Sequence, residues 1–150
     1  MIAVPTETLS ELYEKDETAW LDAMAELASF GSADKLDLQN LCEYLSDMAI
    51  SHRRELWSRM VVLLAHLLKW DFQPDRRSGS WRVTIRHQRN ELRMLCRSGS
   101  LSNHALSILV ECFDQARIYA ADETGLPLET FPAVCPMTLA ELLAESELSA

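Results

Sequence analysis

The sequence predicts an all-α fold, an antiparallel helical bundle of four main helices plus a short C-terminal helix, with one long second helix. Three observations favour this fold. Apolar residues recur at steps of three or four along four segments, which places them on one face of a helix. The 150 residues include only 4 Gly and 5 Pro, too few for a turn-rich β fold. No stretch shows the alternation of apolar and polar residues that a half-buried strand requires.

The first predicted helix begins at a capping box. In residues 8–11, Thr-Leu-Ser-Glu, the threonine hydroxyl accepts from the backbone N–H three residues later while the glutamate binds back to the threonine N–H. Apolar side chains then follow at helical spacing, among them Leu12, Trp20 and Met24. Gly31 suits the residue just past the helix, where a left-handed conformation is common.

The second predicted helix is long because nothing in the sequence interrupts it. From Leu36 to Gln73 apolar residues step by three or four, with neither glycine nor proline. One helix of about 33 residues would be roughly 50 Å long. Residues 50–52 are the favoured position for a kink, because the polarity changes there, and two stacked helices are the alternative. Pro74 ends the segment.

The third predicted helix runs from Trp81 to about Arg97, with Ser80 as its candidate N-cap and Ser98-Gly99-Ser100 after its end. Because the loop before it is short, we expect it to lie antiparallel to the second helix. The two helices should then share one core, formed by Leu63, Leu67, Trp70, Trp81 and Ile85.

The fourth predicted helix starts near residues 102–103 and ends before Gly125. Residues 125–137 form an apolar, proline-containing loop that we expect to pack along the body of the domain. Thr138-Leu139-Ala140-Glu141 is a second capping box, which opens the short last helix.

Length and composition predict a single helical domain over residues 1–150 in the cytoplasm. Four cysteines lack the close spacing of a metal or redox motif, and residues 1–8 lack the pattern of a signal peptide, so we expect reduced thiols. The longest apolar run, 60–68, is too short to span a membrane.

The third helix carries a stripe of arginines, spaced so that all fall within an arc of roughly 80°. The members of this arginine stripe are Arg82, Arg86, Arg89, Arg93 and Arg97. The surrounding charge is uneven, because residues 1–50 carry 2 basic and 11 acidic groups, residues 51–100 carry 11 and 4, and residues 101–150 carry 1 and 8. Opposite blocks in one small protein favour internal pairing.

Three hypotheses follow from this charge pattern. The first is a non-enzymatic interaction module that binds a protein partner or itself, with its arginines paired to acidic faces. The second is a nucleic-acid-associated protein that uses the stripe on phosphates, and the third is an enzyme acting on a small anionic ligand. The candidate anion- or partner-binding residues are Arg76, Arg77, Arg82, Arg86, Arg89 and Arg93. The candidate acidic counter-charges are Glu43, Asp47 and Glu55.

No catalytic, cofactor or metal motif is present in the sequence. The histidines lack the i, i+4 pairing of a zinc protease site, and no Gly-rich phosphate loop or nucleophile elbow occurs. We therefore expect no catalytic residues, no cofactor and no stoichiometric zinc. His66 is expected to be a partly buried histidine with one hydrogen-bond partner.

Four ordered blocks, at residues 12–20, 36–48, 61–92 and 123–143, carry a family resemblance. The longest, VVLLAHLLKWDFQPDRRSGSWRVTIRHQRNEL, resembles the core signature of domain-of-unknown-function family 29. The resemblance implies a bacterial, all-helical protein and supplies no catalytic residues. Met137 stands where the resemblance leads us to expect Trp.

Overall fold

The structure is a computed structural model that describes residues 7–145 and 147–148. Within those residues it contains helices and no strand, which confirms the predicted all-α bundle. The α-helices are α1 (Leu9–Lys15), α2 (Glu17–Ser29), α3 (Leu38–Phe72), α4 (Gly79–Leu95), α5 (Gly99–Thr124) and α6 (Leu139–Leu143). Single turns of 3₁₀ helix occur at Ala33–Lys35, Pro74–Arg76 and Leu128–Thr130.

The chain divides into two compact units, Met1–Ile50 and Ser51–Ala150. The expectation of a single domain over the whole chain stays a prediction. Residues 1–6, on which the expectation about a signal peptide partly rests, lie outside the described residues. No helix in the described part of the chain is both long and apolar enough to cross a membrane.

The first predicted helix is in fact two helices, and Asp16 separates them. Its backbone lies at φ −150° and ψ 87°, which ends α1. Its carboxylate accepts a 3.0 Å hydrogen bond from the N–H of Ala19 and so caps α2. Aspartate is among the best N-cap residues, because a short side-chain acceptor satisfies a free N–H of the first turn. The capping box of Thr8 and Glu11 is present as predicted.

The first unit has a small core centred on Trp20, which is fully buried. Its ring lies 4.6 Å from the ring of Tyr13 and 5.8 Å from that of Tyr44, measured between centroids. Its indole N–H donates a 3.2 Å hydrogen bond to Asp37, so the polar tip of this buried side chain is satisfied. Met24 is the other buried residue of α2.

Helix α3 is one uninterrupted helix of 35 residues, so the alternative of two stacked helices is wrong. Its second half is buried and forms the centre of the larger unit. Leu63, Leu67, Trp70 and Ile85 belong to one core cluster, and Trp81 packs against it, as predicted. 

Helices α3 and α4 run antiparallel. Arg59 of α3 donates a 3.1 Å hydrogen bond to Gln88 of α4. Further along α3, the ammonium group of Lys69 lies 5.0 Å from the ring centroid of Trp81, which comes earlier in α4. A later residue of α3 therefore contacts an earlier residue of α4, as antiparallel helices require.

Two helix starts differ from the predicted ones. Ser78, not Ser80, caps α4, and Ser98 caps α5, which begins at Gly99 instead of near residues 102–103. Each serine hydroxyl accepts a hydrogen bond from the backbone N–H three residues later. More than one serine occurs near each helix start, and any of them has the side chain that an N-cap requires. Helix α5 ends at Gly125 as predicted, and its φ of 72° is a conformation that glycine adopts without strain.

The loop after α5 packs on the second unit, as its apolar residues predicted. Phe131 is 2% exposed, and its ring meets that of Phe72 at a centroid distance of 5.4 Å. Met137, at the position where Trp was expected, is partly buried against the same core. The capping box of Thr138 and Glu141 opens α6, which confirms the predicted last helix.

Candidate interaction surface on helix α4

Helix α4 presents two kinds of face, and the arginine stripe straddles the border between them. Ile85, Arg89 and Leu92 are buried, whereas Val83 and Arg86 are exposed. Four arginines of the stripe lie on α4, which ends at Leu95 rather than near Arg97 as predicted, and they meet very different environments. Their individual contacts decide which ones remain available to another molecule.

Arg89 is the buried member of the stripe, with only 7% of its surface exposed. Its Nε donates a 2.9 Å hydrogen bond to the backbone carbonyl of Leu142, near the end of α6. Burial, and then the neighbouring positive charge of Arg93, lower the pKa of the guanidinium. Arg89 therefore connects α4 to α6 and occupies an environment that offers a peptide carbonyl as a partner.

Arg93 also contacts the C-terminal part of the chain. Its guanidinium lies 2.7 Å from a carboxylate oxygen of Glu145. The hydrogen bond and the positive charge of Arg93 lower the pKa of Glu145. The side chains of Arg93 and Glu145 are 41% and 79% exposed, respectively, so this pair contributes little to stability. 

Arg77 and Arg82 are both directed at Trp70. Their guanidinium carbons lie 4.9 and 5.0 Å from its ring centroid, which is cation–π geometry. Arg77 also donates a 2.9 Å hydrogen bond to the carbonyl of Trp70. Arg76, in the preceding 3₁₀ turn, is exposed. The structure thus does not gather the six predicted arginines into one binding site.

Arg86 is exposed, and none of the residues that the structure describes forms an ion pair or hydrogen bond with it. It lines a cleft of about 700 Å³ on the surface of the second unit. Helix α4 contributes five residues to this arginine cleft, namely Arg82, Ile85, Arg86, Arg89 and Asn90. The C-terminal segment contributes Glu145, Glu147 and Leu148.

The three predicted acidic counter-charges lie in two different places. Glu55 pairs with Arg59, one turn along α3, at 2.9 Å. Glu43 and Asp47 belong to the first unit, where their negative charges, after loss of solvent, help to raise the pKa of Tyr13. Their pairing with the arginine stripe stays a prediction.

A buried cluster around Lys69 was missed by the sequence analysis. Lys69 is 6% exposed, and its ammonium lies 2.6 Å from a carboxylate oxygen of Glu123 and over the ring of Trp81. A lysine inside an apolar helical run was the available signal, since such a residue needs a counter-charge when buried. The partner, Glu123, comes from α5 and is not visible from local spacing.

His66 is partly buried and the cysteines form no disulfide. His66 Nδ1 lies 2.8 Å from the carbonyl oxygen of Val62, which fits the predicted single partner, and burial lowers its pKa. All four cysteines are free. Across residues 7–145 and 147–148, no three His, Cys, Asp or Glu side chains are placed to hold a metal ion.

Comparison with protein families matches residues 12–147 to the family described as Domain of unknown function DUF29. The chain belongs to the DUF29 family. The DUF29 match contains all of α4 and extends to Glu147, so both carboxylates of the arginine cleft lie within it. Comparisons of this DUF29 chain with curated proteins and with solved structures give no match.

Proposed function

We propose that this DUF29 protein is a non-enzymatic helical interaction module of the bacterial cytoplasm, which binds a protein partner or a second copy of itself through α4. One observation carries the proposal. The innermost arginine of the stripe, Arg89, binds a peptide carbonyl, and its neighbour Arg93 binds a carboxylate. These are the groups that another protein surface would offer.

Nucleic-acid binding is the second candidate, and exposed arginines favour it. Arg76, Arg82 and Arg86 are all exposed and could meet phosphates. Two features weigh against it. The net charge of −9 opposes approach to a polyanion, and Arg93 already holds a carboxylate.

An enzyme acting on a small anionic ligand has less support. It would need a carboxylate base beside the arginines, and Glu55, one of the three candidate acidic residues, is paired with Arg59 instead. Within the arginine cleft, the available carboxylates are those of the C-terminal segment, and Glu145 is occupied by Arg93.

Two measurements on the full chain test the proposal. Light scattering after size exclusion gives the oligomeric state, and fluorescence anisotropy with labelled single-stranded RNA and duplex DNA gives nucleic-acid affinity at about 50 and about 200 mM salt. We expect no salt-sensitive oligonucleotide binding. Tight binding that weakens at least about tenfold across that salt range, and that Arg86→Gln removes, would replace the interaction module with the nucleic-acid hypothesis.

A further inference from the structure

We propose that the arginine cleft is a docking site for an acidic, leucine-containing peptide segment of a partner protein, and that the chain's own C-terminal segment is its internal competitor. This inference rests on the proposed interaction function and specifies its ligand. It arises from the way α4 and the C-terminal segment line the same cleft.

The cleft combines positive charge with apolar surface. Arg82, Arg86 and Arg89 supply guanidinium groups, and Ile85 and Leu148 also line it. Arg89 is more than nine-tenths buried, so part of this positive charge is held in a site of reduced solvation. A ligand that carried only negative charge would leave the apolar lining unused, whereas an acidic peptide with a leucine side chain uses both.

The chain's own C-terminal segment already places acidic side chains and a leucine at this cleft. Glu145 binds Arg93 at 2.7 Å, Glu147 lines the cleft, and Leu148 packs against the hydrophobic core of the second unit. The segment therefore presents two carboxylates and a leucine within a few residues. A partner segment with the same pattern would meet the same surface.

The cleft also has unused capacity for an anion. Among residues 7–145 and 147–148, neither Arg86 nor Glu147 takes part in an ion pair. The guanidinium carbon of Arg82 lies 5.0 Å from the ring centroid of Trp70, and Arg82 forms no ion pair among the residues that the structure describes. The guanidinium groups thus exceed the carboxylates bound to them, which is charge complementarity for an acidic ligand.

The C-terminal segment competes with a free peptide for the arginine cleft, and it has the advantage of being attached to the same chain. A tethered ligand acts at an effective concentration in the millimolar range, so a free peptide of equal intrinsic affinity binds the intact chain only weakly. Weakening the internal segment should therefore reveal the site. Glu145→Gln together with Glu147→Gln removes its charge without shortening the chain.

The experiment is a fluorescence anisotropy titration with a labelled peptide of sequence Glu-Ser-Glu-Leu-Ser-Ala, identical to residues 145–150. The full chain and the E145Q/E147Q variant are compared. We expect the variant to bind the peptide at least about fivefold more tightly than the unmodified chain. Adding Arg86→Gln to that variant should weaken binding by about fivefold or more, because it removes the unpaired cation.

Matched controls separate docking from general charge effects. Arg97→Gln, an exposed arginine of the same stripe outside the cleft, should leave peptide binding unchanged. Circular dichroism of each variant verifies that the fold is intact.

Three results would overturn the proposal: no peptide binding by E145Q/E147Q, equal binding of a Gln-Ser-Gln-Leu-Ser-Ala peptide, or displacement by inorganic phosphate at the concentration where peptide binds. None of these results changes the oligonucleotide and oligomer measurements, so the peptide site can fail while the interaction function stands.

Discussion

Arg89 and Leu142 are joined by a hydrogen bond of 2.9 Å, from the guanidinium Nε to the backbone carbonyl oxygen. The last carbonyl groups of a helix have no partner within that helix, so α6 needs an external donor at this end. Arg89 supplies it from α4. This contact explains why an arginine lies on the buried side of an otherwise surface-facing stripe.

The buried pair of Lys69 and Glu123 predicts an asymmetric response to mutation. Lys69 is buried while the side chain of Glu123 is 55% exposed. Glu123→Gln leaves a buried ammonium without a counter-charge and should lower the free energy of unfolding by about 1–2 kcal/mol. Lys69→Met removes the buried charge and keeps the apolar stem, so it should cost less.

A double-mutant cycle measured by urea denaturation checks this prediction. Lys69→Met combined with Glu123→Gln should be more stable than Glu123→Gln alone, because the unpaired charge is gone. Additive losses, or a larger loss for Lys69→Met, would show that the pair does not act in this way.

His66 predicts that stability falls in mild acid. Burial lowers the pKa of His66 in the folded protein below its ordinary value of 6.5. The unfolded chain therefore takes up a proton first as the pH falls, which favours unfolding. His66 should destabilise the fold progressively as the pH drops through about 6.5 and should add nothing further below its folded pKa.

Thermal unfolding across this pH range measures the effect. His66→Gln should flatten the pH dependence relative to the unmodified chain. His87→Gln, at an exposed position on α4, serves as the matched control for replacing a histidine. If the melting temperature of His66→Gln depended on pH as steeply as that of the unmodified chain, the prediction would be contradicted.

The cysteines predict a selective pattern of thiol labelling. Burial, with a smaller contribution from the charge of Glu111, raises the pKa of Cys112 to about 12. Cys42 is exposed. Since the thiolate is the reactive species, iodoacetamide at neutral pH should label Cys42 in the folded protein and Cys112 only after unfolding. Peptide mass spectrometry reads out each site, and early labelling of Cys112 would contradict its burial.

Local sequence signals predicted the helices well, because apolar spacing and capping boxes act over a few residues. The core shared by Leu63, Trp70 and Ile85 followed from spacing along two helices. The break at Asp16 was missed because the apolar periodicity is nearly in phase on its two sides, while the deciding interaction is one aspartate cap.

The candidate site was predicted less well, because its contacts join distant parts of the chain. Sequence spacing identified the arginine stripe but left open which of Arg82, Arg89 and Arg93 would be partly buried. It could not reveal that the partner of Arg89 is a backbone carbonyl of α6, since any residue offers such a group. The pairing of Arg93 with Glu145 likewise depends on how the C-terminal segment packs.

The central claim is that the arginine stripe serves protein contacts, and Arg89→Met tests it most directly, with Arg86→Met as the matched control. Arg89→Met removes the donor for Leu142, so we expect a loss of about 1–3 kcal/mol in the free energy of unfolding. Arg86 is exposed, so Arg86→Met should stay within about 0.5 kcal/mol. Neither variant should change RNA or DNA retention. Unchanged stability of Arg89→Met, together with loss of salt-sensitive RNA or DNA binding, would contradict the account.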